Sequence, residues 1–169
     1  MTIEVALRAF REGDAAEVTD LLHRAYAELG AQGLNFTAVD QDEETTLSRA
    51  SAGACWVVVA RGRIVATGTV SLPPHEGLRT LTRHARVSTR AWLNQLAVDP
   101  SLRGHGYARL LREQGFAWAR GAGATSIGLD TALSADHLVR LYRGWDFTHR
   151  DTIQVPGKVY RSVVMTRSL

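Results

Sequence analysis

The segment 91–130 constrains the fold more than any other part of the chain. It opens on a strand-like apolar run, AWLNQLAV (91–98), which Asp99-Pro100 ends. Past the turn Arg103-Gly104-His105-Gly106, Tyr107, Leu110, Leu111, Gln114, Gly115 and Trp118 fall on one face of a helix, with Arg109, Arg112, Glu113 and Arg120 off it. GAGA (121–124) ends that helix, and TSIGLD (125–130) returns as a strand. A strand–helix–strand crossover sets its two strands parallel in one sheet.

The remaining elements fit around that unit. IEVALRAF (3–10) reads as a strand, and Asp14 with Glu17 offers a capping box for a helix. Val18, Leu21, Leu22, Ala25 and Leu29 follow at helical spacing, and Gly30 offers a stop. Asp40 and Glu43 repeat the start signal for a shorter helix ending near Gly53. CWVVVARGRIVATGTV (55–70) reads as a hairpin around Arg-Gly, whereas 71–90 shows neither period and reads as a long functional or mobile loop. Ser134 can cap a short helix through Trp145, and two runs flanking Pro156-Gly157 suggest a final hairpin. The sum is a mixed α/β sheet of about seven strands with about four helices.

At 169 residues, with 45% hydrophobic and 22% charged residues, the chain suits one globular domain, 1–169. No apolar run approaches the roughly 20 residues that span a bilayer, so no membrane partner is expected. The opening MTIEVALRAFREGD lacks a basic region followed by an apolar core, so no secretory leader is expected. The single cysteine, Cys55, lies in apolar ACWVVVA and fits an inert thiol in a reducing cytoplasm. A net charge of +3 can attract phosphate but is too small to imply nucleic acid.

A glycine turn between a strand and a helix converges unpaired N–H groups on one point, which suits a phosphate or pyrophosphate. Gly104 and Gly106 let backbone approach closely, and Arg103 and His105 can add charge or hydrogen bonds. The alternative is a helix entry that needs glycine only for its turn. GxxxxGK[ST] is absent, and the third glycine of GxGxxG would fall on Arg109. Asp130 mimics a ribose-binding acid, but too few βα units follow for a dinucleotide fold.

LAVDPSLRGHGYA resembles the cofactor signature [QR]-x-x-G-x-[GA] of the GNAT superfamily of acyl-CoA-dependent N-acyltransferases. Arg103, Gly104, His105, Gly106, Tyr107 and Ala108 stand in register, and LYRGWDF (141–147) is similar to the later Leu-Tyr-x-x-x-Gly-Phe motif. Asp146 replaces the usual glycine, and Ala135 replaces an asparagine that often contacts the cofactor arm, leaving Ser134 as a substitute. The resemblance implies a GNAT-like, centrally splayed sheet, acetyl-CoA as cosubstrate and no metal.

It further implies that the backbone of Leu96, Ala97 and Val98 holds the pantetheine arm, with the Val98 amide stabilising the oxyanion. Backbone amides from Arg103 to Ala108 hold the pyrophosphate, Tyr142 also lies against the cofactor, and an amine attacks the acetyl carbon directly in a ternary complex. Tyr142 becomes the general acid for the coenzyme A thiolate. Relatives often carry a glutamate base on the strand matching 91–98, where this sequence has no carboxylate. Asn94 or Gln95 can order a relay water, and His75, Glu76, His84 and Asp130 are bases by residue type alone.

The leading expectation is an acetyl-CoA-dependent N-acetyltransferase acting on a primary amine of a small molecule. A protein N-terminus or lysine as acceptor and a non-catalytic acyl-CoA sensor are the alternatives. The acidic DQDEE (40–44) and the basic 79–90 segment do not choose between them. A homodimer is compatible with the resemblance, but no interface is legible.

Overall fold

A computed structural model of the chain describes residues 2–169. The strands are β1 Val5–Ala9, β2 Ala54–Ala60, β3 Arg63–Ser71, β4 Arg90–Val98, β5 Ser126–Ala132, β6 Thr148–Ile153 and β7 Ser162–Ser168. The helices are α1 Ala15–Ala31, α2 Thr37–Asp40, α3 Glu43–Ser51, α4 Glu76–Leu81, α5 Tyr107–Gly121 and α6 Asp136–Gly144. All seven strands form one sheet in the order β1-β2-β3-β4-β5-β7-β6. Every pairing is antiparallel except β4 with β5, as the crossover requires.

Alternation along β2 divides the core into two layers. Val57 faces α1, where Val18, Leu21, Leu22 and Ala25 pack with Ile64 and Ala97. Trp56 and Val58 face the other way, toward Leu111, Phe116, Tyr142 and Phe147. Arg61 and Gly62, at φ 52° and 73°, make the two-residue turn between β2 and β3, matching the hairpin expected there.

Several local expectations are corrected. Asp14 and Glu17 do not close a capping box. The Asp14 carboxylate binds both nitrogens of the Arg8 fork and the Arg11 N–H, and Glu17 accepts from Ile64 N–H at 2.8 Å. The preceding arginines take the Asp14 carboxylate and a distant strand takes Glu17, so the reciprocal cap does not form. The second helix starts at Asp42, which accepts from Thr45 N–H at 2.8 Å, because Asp40 already ends α2. The 71–90 segment carries α4 and a short 3₁₀ turn, Arg83–Ala85. It lacks a legible period because, beyond Leu72 at its start, only Leu78, Leu81 and Ala85 of its apolar residues pack, against Trp92, Ile153 and Val164.

On α5 the buried face is Tyr107, Leu111, Gly115, Phe116 and Ala119, leaving Leu110 exposed. The helix is rotated so that Phe116 meets Phe147 at 6.2 Å, beneath the Arg167 guanidinium. The expected last hairpin forms, with β7 inserted between β5 and β6.

Candidate active site

The site exists because β4 and β5 stay together only briefly. Their pairing is limited to Arg90–Trp92 against Ser126–Gly128. A Cβ at Gly128 would run into the Trp92 ring, so only glycine lets that indole lie across β5 and donate to Asp130 Oδ1 at 2.9 Å. Further along, β4 carries an extra residue against β3, opposite Gly68, and Gln95 takes φ 50° there. The bulge frees the Leu96 carbonyl for the Tyr26 hydroxyl at 2.9 Å. Because Asp99 N–H donates to Val65 O at 2.8 Å, alternation turns the Val98 N–H away from β3 and toward the opening.

Two cavities occupy that opening. One, of about 460 Å³, runs from the glycine turn along Leu96, Ala97 and Val98 to α1 and α6. The other, of about 420 Å³, lies between β4, β5, α3 and the β6–β7 connection. Tyr26, Leu96, Leu138 and Tyr142 line both, so the two cavities adjoin at these four side chains, which form the throat between them.

At the glycine turn, Gly104 and Gly106 hold φ of 83° and 82°, a conformation strained for any side chain, and a Cβ on either would meet open space. Gly106 caps α5 through its backbone alone. The first intrahelical donor is Leu110 N–H, so the amides from Arg103 through Arg109 have no acceptor among the described residues. This row of N–H groups on the first cavity fits a pyrophosphate. The Arg103 and His105 side chains have protein partners of their own beside it. Arg103 donates to the Ala25 carbonyl at 3.1 Å and pairs with Glu28, and His105 Nδ1 donates to the Leu102 carbonyl at 2.9 Å. Both brace the loop, leaving the backbone to meet an anion.

The acetyltransferase (GNAT) family model matches residues 16–147, which is most of the chain. The chain belongs to that family. GNAT membership sets acetyl transfer as its class of chemistry, for which acetyl-CoA is the family's donor. A curated relative, the S-(2-succino)cysteine N-acetyltransferase of Bacillus subtilis, is 36% identical over 62 residues. That match takes in 37% of this chain and only 38% of the relative. The fold is that of the ribosomal-protein-S18-alanine N-acetyltransferase from Escherichia coli, at TM-score 0.72 and 16% identity over 98% of this chain and 94% of that one. It is also that of a GNAT family acetyltransferase from Brucella melitensis in complex with acetyl-CoA, at TM-score 0.64 and 19% identity over 98% and 88%.

In this GNAT chain Tyr142 is buried at the throat, with its ring between Trp145 and Phe147. Two hydrogen bonds close α6 behind it, Phe147 N–H to Tyr142 O and Asp146 N–H to Arg143 O, the Schellman pattern. Asp146 stands in the left-handed position at φ 66°, so the turn survives without the family's glycine. Burial, reinforced by Tyr26 and Asp130, pushes the Tyr142 hydroxyl well above the ordinary tyrosine range.

The other residues singled out by sequence divide. Asn94 lines the second cavity and donates to Ser71 Oγ at 3.1 Å. Gln95 lines it too, but its Oε1 accepts from Gln41 Nε2 at 2.9 Å. Ser134 lies on an exposed turn outside both linings, because buried Ala135 takes the inward position with Leu29 and Ala132. Of the four bases by residue type, His75 and Asp130 line the second cavity, and Glu76 and His84 do not. His75 Nδ1 is occupied in accepting from Gly77 N–H at 3.1 Å. Sequence reasoning missed Arg49, Lys158 and Tyr160, which share that cavity from segments with no common motif.

Proposed function

We propose that this chain is an N-acetyltransferase that moves the acetyl group of acetyl-CoA to a primary amine of a small molecule, with both bound at once. The shared throat of the two cavities carries this reading. A thioester in the first cavity and an amine in the second would meet beside the β4 bulge and Tyr142. The second cavity suits a metabolite in size, and the name of the curated relative also points to a small-molecule acceptor. One sheet runs from Val5 to Ser168, which supports 1–169 as a single catalytic domain. The lone, buried Cys55 fits work in the cytoplasm, and no described helix is long and apolar enough to cross a membrane.

The bound thioester supplies an activated acyl carbon and a thiolate leaving group. Amides of Arg103 to Ala108 hold the pyrophosphate, and the backbone of Leu96 and Ala97 aligns the arm. The Val98 N–H faces the carbonyl oxygen as it gains charge. The acceptor nitrogen forms the N–C bond as the C–S bond breaks. Tyr142 gives its proton to the departing sulfur, and the proton lost by the nitrogen restores it through water held near Asn94. Burial makes the Tyr142 hydroxyl a weaker acid, so the donor role rests on its place between the two cavities and not on its acidity. Asp130 places a carboxylate at the acceptor side that the β4 sequence lacks, which favours an enzyme over a non-catalytic sensor.

Calorimetry with acetyl-CoA, followed by thiol release across amines and peptides, tests the reading. We expect binding and release with a small amine. Binding without release on any acceptor supports the sensor instead, and release only with peptides supports a protein acceptor.

A further inference from the structure

The second cavity holds more positive charge than an amine acceptor needs. Arg49 of α3 and Lys158 of the β6–β7 connection both line it, beside Asp130 of β5. Neither cation lies within ion-pair distance of a carboxylate among the described residues. Arg49 spends one nitrogen on the neutral Gln41 Oε1 at 2.9 Å, leaving most of its donor fork unused. Lys158 Nζ donates to the Asn35 carbonyl at 2.8 Å and to Thr37 Oγ1 at 3.0 Å, two neutral acceptors. Burial opposes the charge on both, and Arg49 further opposes that on Lys158. Two half-buried cations thus face one cavity with no described carboxylate in direct ion-pair contact and with Asp130 as the single acid of the lining, an excess of positive charge that suits an anion.

Arg49 is also aimed. Gln41 Oε1 takes its Nη1 while Gln41 Nε2 donates to Thr46 Oγ1 and to Gln95 Oε1, so one carboxamide ties the guanidinium to the β4 bulge. Asp130 brings a carboxyl to the same cavity, where burial pushes it above the ordinary aspartate range against the pull of Trp92, Arg49 and Lys158. Its Oδ1 accepts from Trp92, and its second oxygen has no protein donor. Phe36 and Tyr160, stacked at 5.0 Å, with Leu78 and Val155 give the same cavity an apolar wall.

We infer that the acceptor is a free amino acid, its carboxylate held by Arg49 and Lys158 and its amino nitrogen directed toward Asp130 and the throat at Tyr142. The inference rests on the acyl-transfer reading above and narrows its acceptor. Charge decides against the alternatives. A polyamine or a lysine side chain would add positive charge to a cavity that already has an excess of it. An amino acid supplies the missing anion, and its amine keeps Asp130 as a partner.

The test measures thiol release with the twenty standard L-amino acids, spermidine and a short peptide. Each reactive amino acid is then compared with its α-carboxamide and its decarboxylated amine. Arg49→Met and Lys158→Met are run alongside, with acetyl-CoA affinity by calorimetry as the check on folding and on the donor site. We expect at least one amino acid to react and its carboxamide to show KM raised about 10- to 100-fold, the usual worth of a charge-assisted contact. Either variant should raise KM for the amino acid by a similar factor and keep acetyl-CoA Kd within about twofold. Lys158→Met, in a connection rather than a helix, carries the test if Arg49→Met fails to fold. Preference for spermidine, the peptide or the carboxylate-free amines overturns the inference, as does silence from every amino acid while acetyl-CoA binds. Failure to bind acetyl-CoA overturns the acyl-transfer reading itself.

Discussion

Asp146 holds a left-handed backbone that costs a side-chain-bearing residue on the order of 1 kcal/mol. Asp146→Gly should therefore raise stability by about 0.5–1 kcal/mol, seen as a higher denaturation midpoint. No change would show the Schellman turn to be unstrained. Gly106→Ala runs the other way: we expect a loss of about 1 kcal/mol and weaker acetyl-CoA binding, measured by calorimetry. For Tyr142→Phe we expect kcat to fall about 100-fold or more, with acetyl-CoA Kd unchanged. Equal kcat would remove Tyr142 from the chemistry. Tyr142 and the glycine turn were legible in sequence because each sits inside a contiguous motif. Asp130, Arg49 and Lys158 were not legible as one site, since three distant segments bring them together and each charge alone looks solvated.

The crossover was legible because its helical period and flanking apolar runs are strong. The bulge at Gln95 was not, since a strand with one extra residue has no distinct signature in a single sequence. Nor was α4, whose few packed residues show no period. Where β4 and β5 part, Gly128→Ala should destabilise by about 1–3 kcal/mol and displace Trp92 from Asp130, visible as a change in indole fluorescence. The link from β1 to α1 is electrostatic. The Arg8 fork holds the Asp14 carboxyl below its ordinary range against the opposing effect of burial, with a lesser contribution from the Arg11 N–H. A depressed folded value means that this contribution is present above the unfolded carboxylate range and is lost as pH falls through the folded value. Asp14→Asn should therefore cost about 1 kcal/mol at neutral pH, with a difference from wild type that shrinks in acid denaturation curves.

Across the whole molecule, the sheet is two halves, β1–β4 and β5–β7–β6, joined by three residue pairs and by α5. A ligand that lies in the gap and touches both halves should stabilise them together. At about 100 times its Kd, acetyl-CoA should add about 2.7 kcal/mol, or roughly 5–10 °C in Tm. A scan with and without it measures this, and a shift confined to one of two transitions would show that the halves melt separately. The position of β7 also has a consequence in time. β7, made after both of its neighbours, lies between β5 and β6, so on the ribosome β5 waits as an open edge until residues 162–168 emerge. The first half of the sheet can form during synthesis, but the second half cannot, and the substrate cleft comes into being only after translation has passed β7.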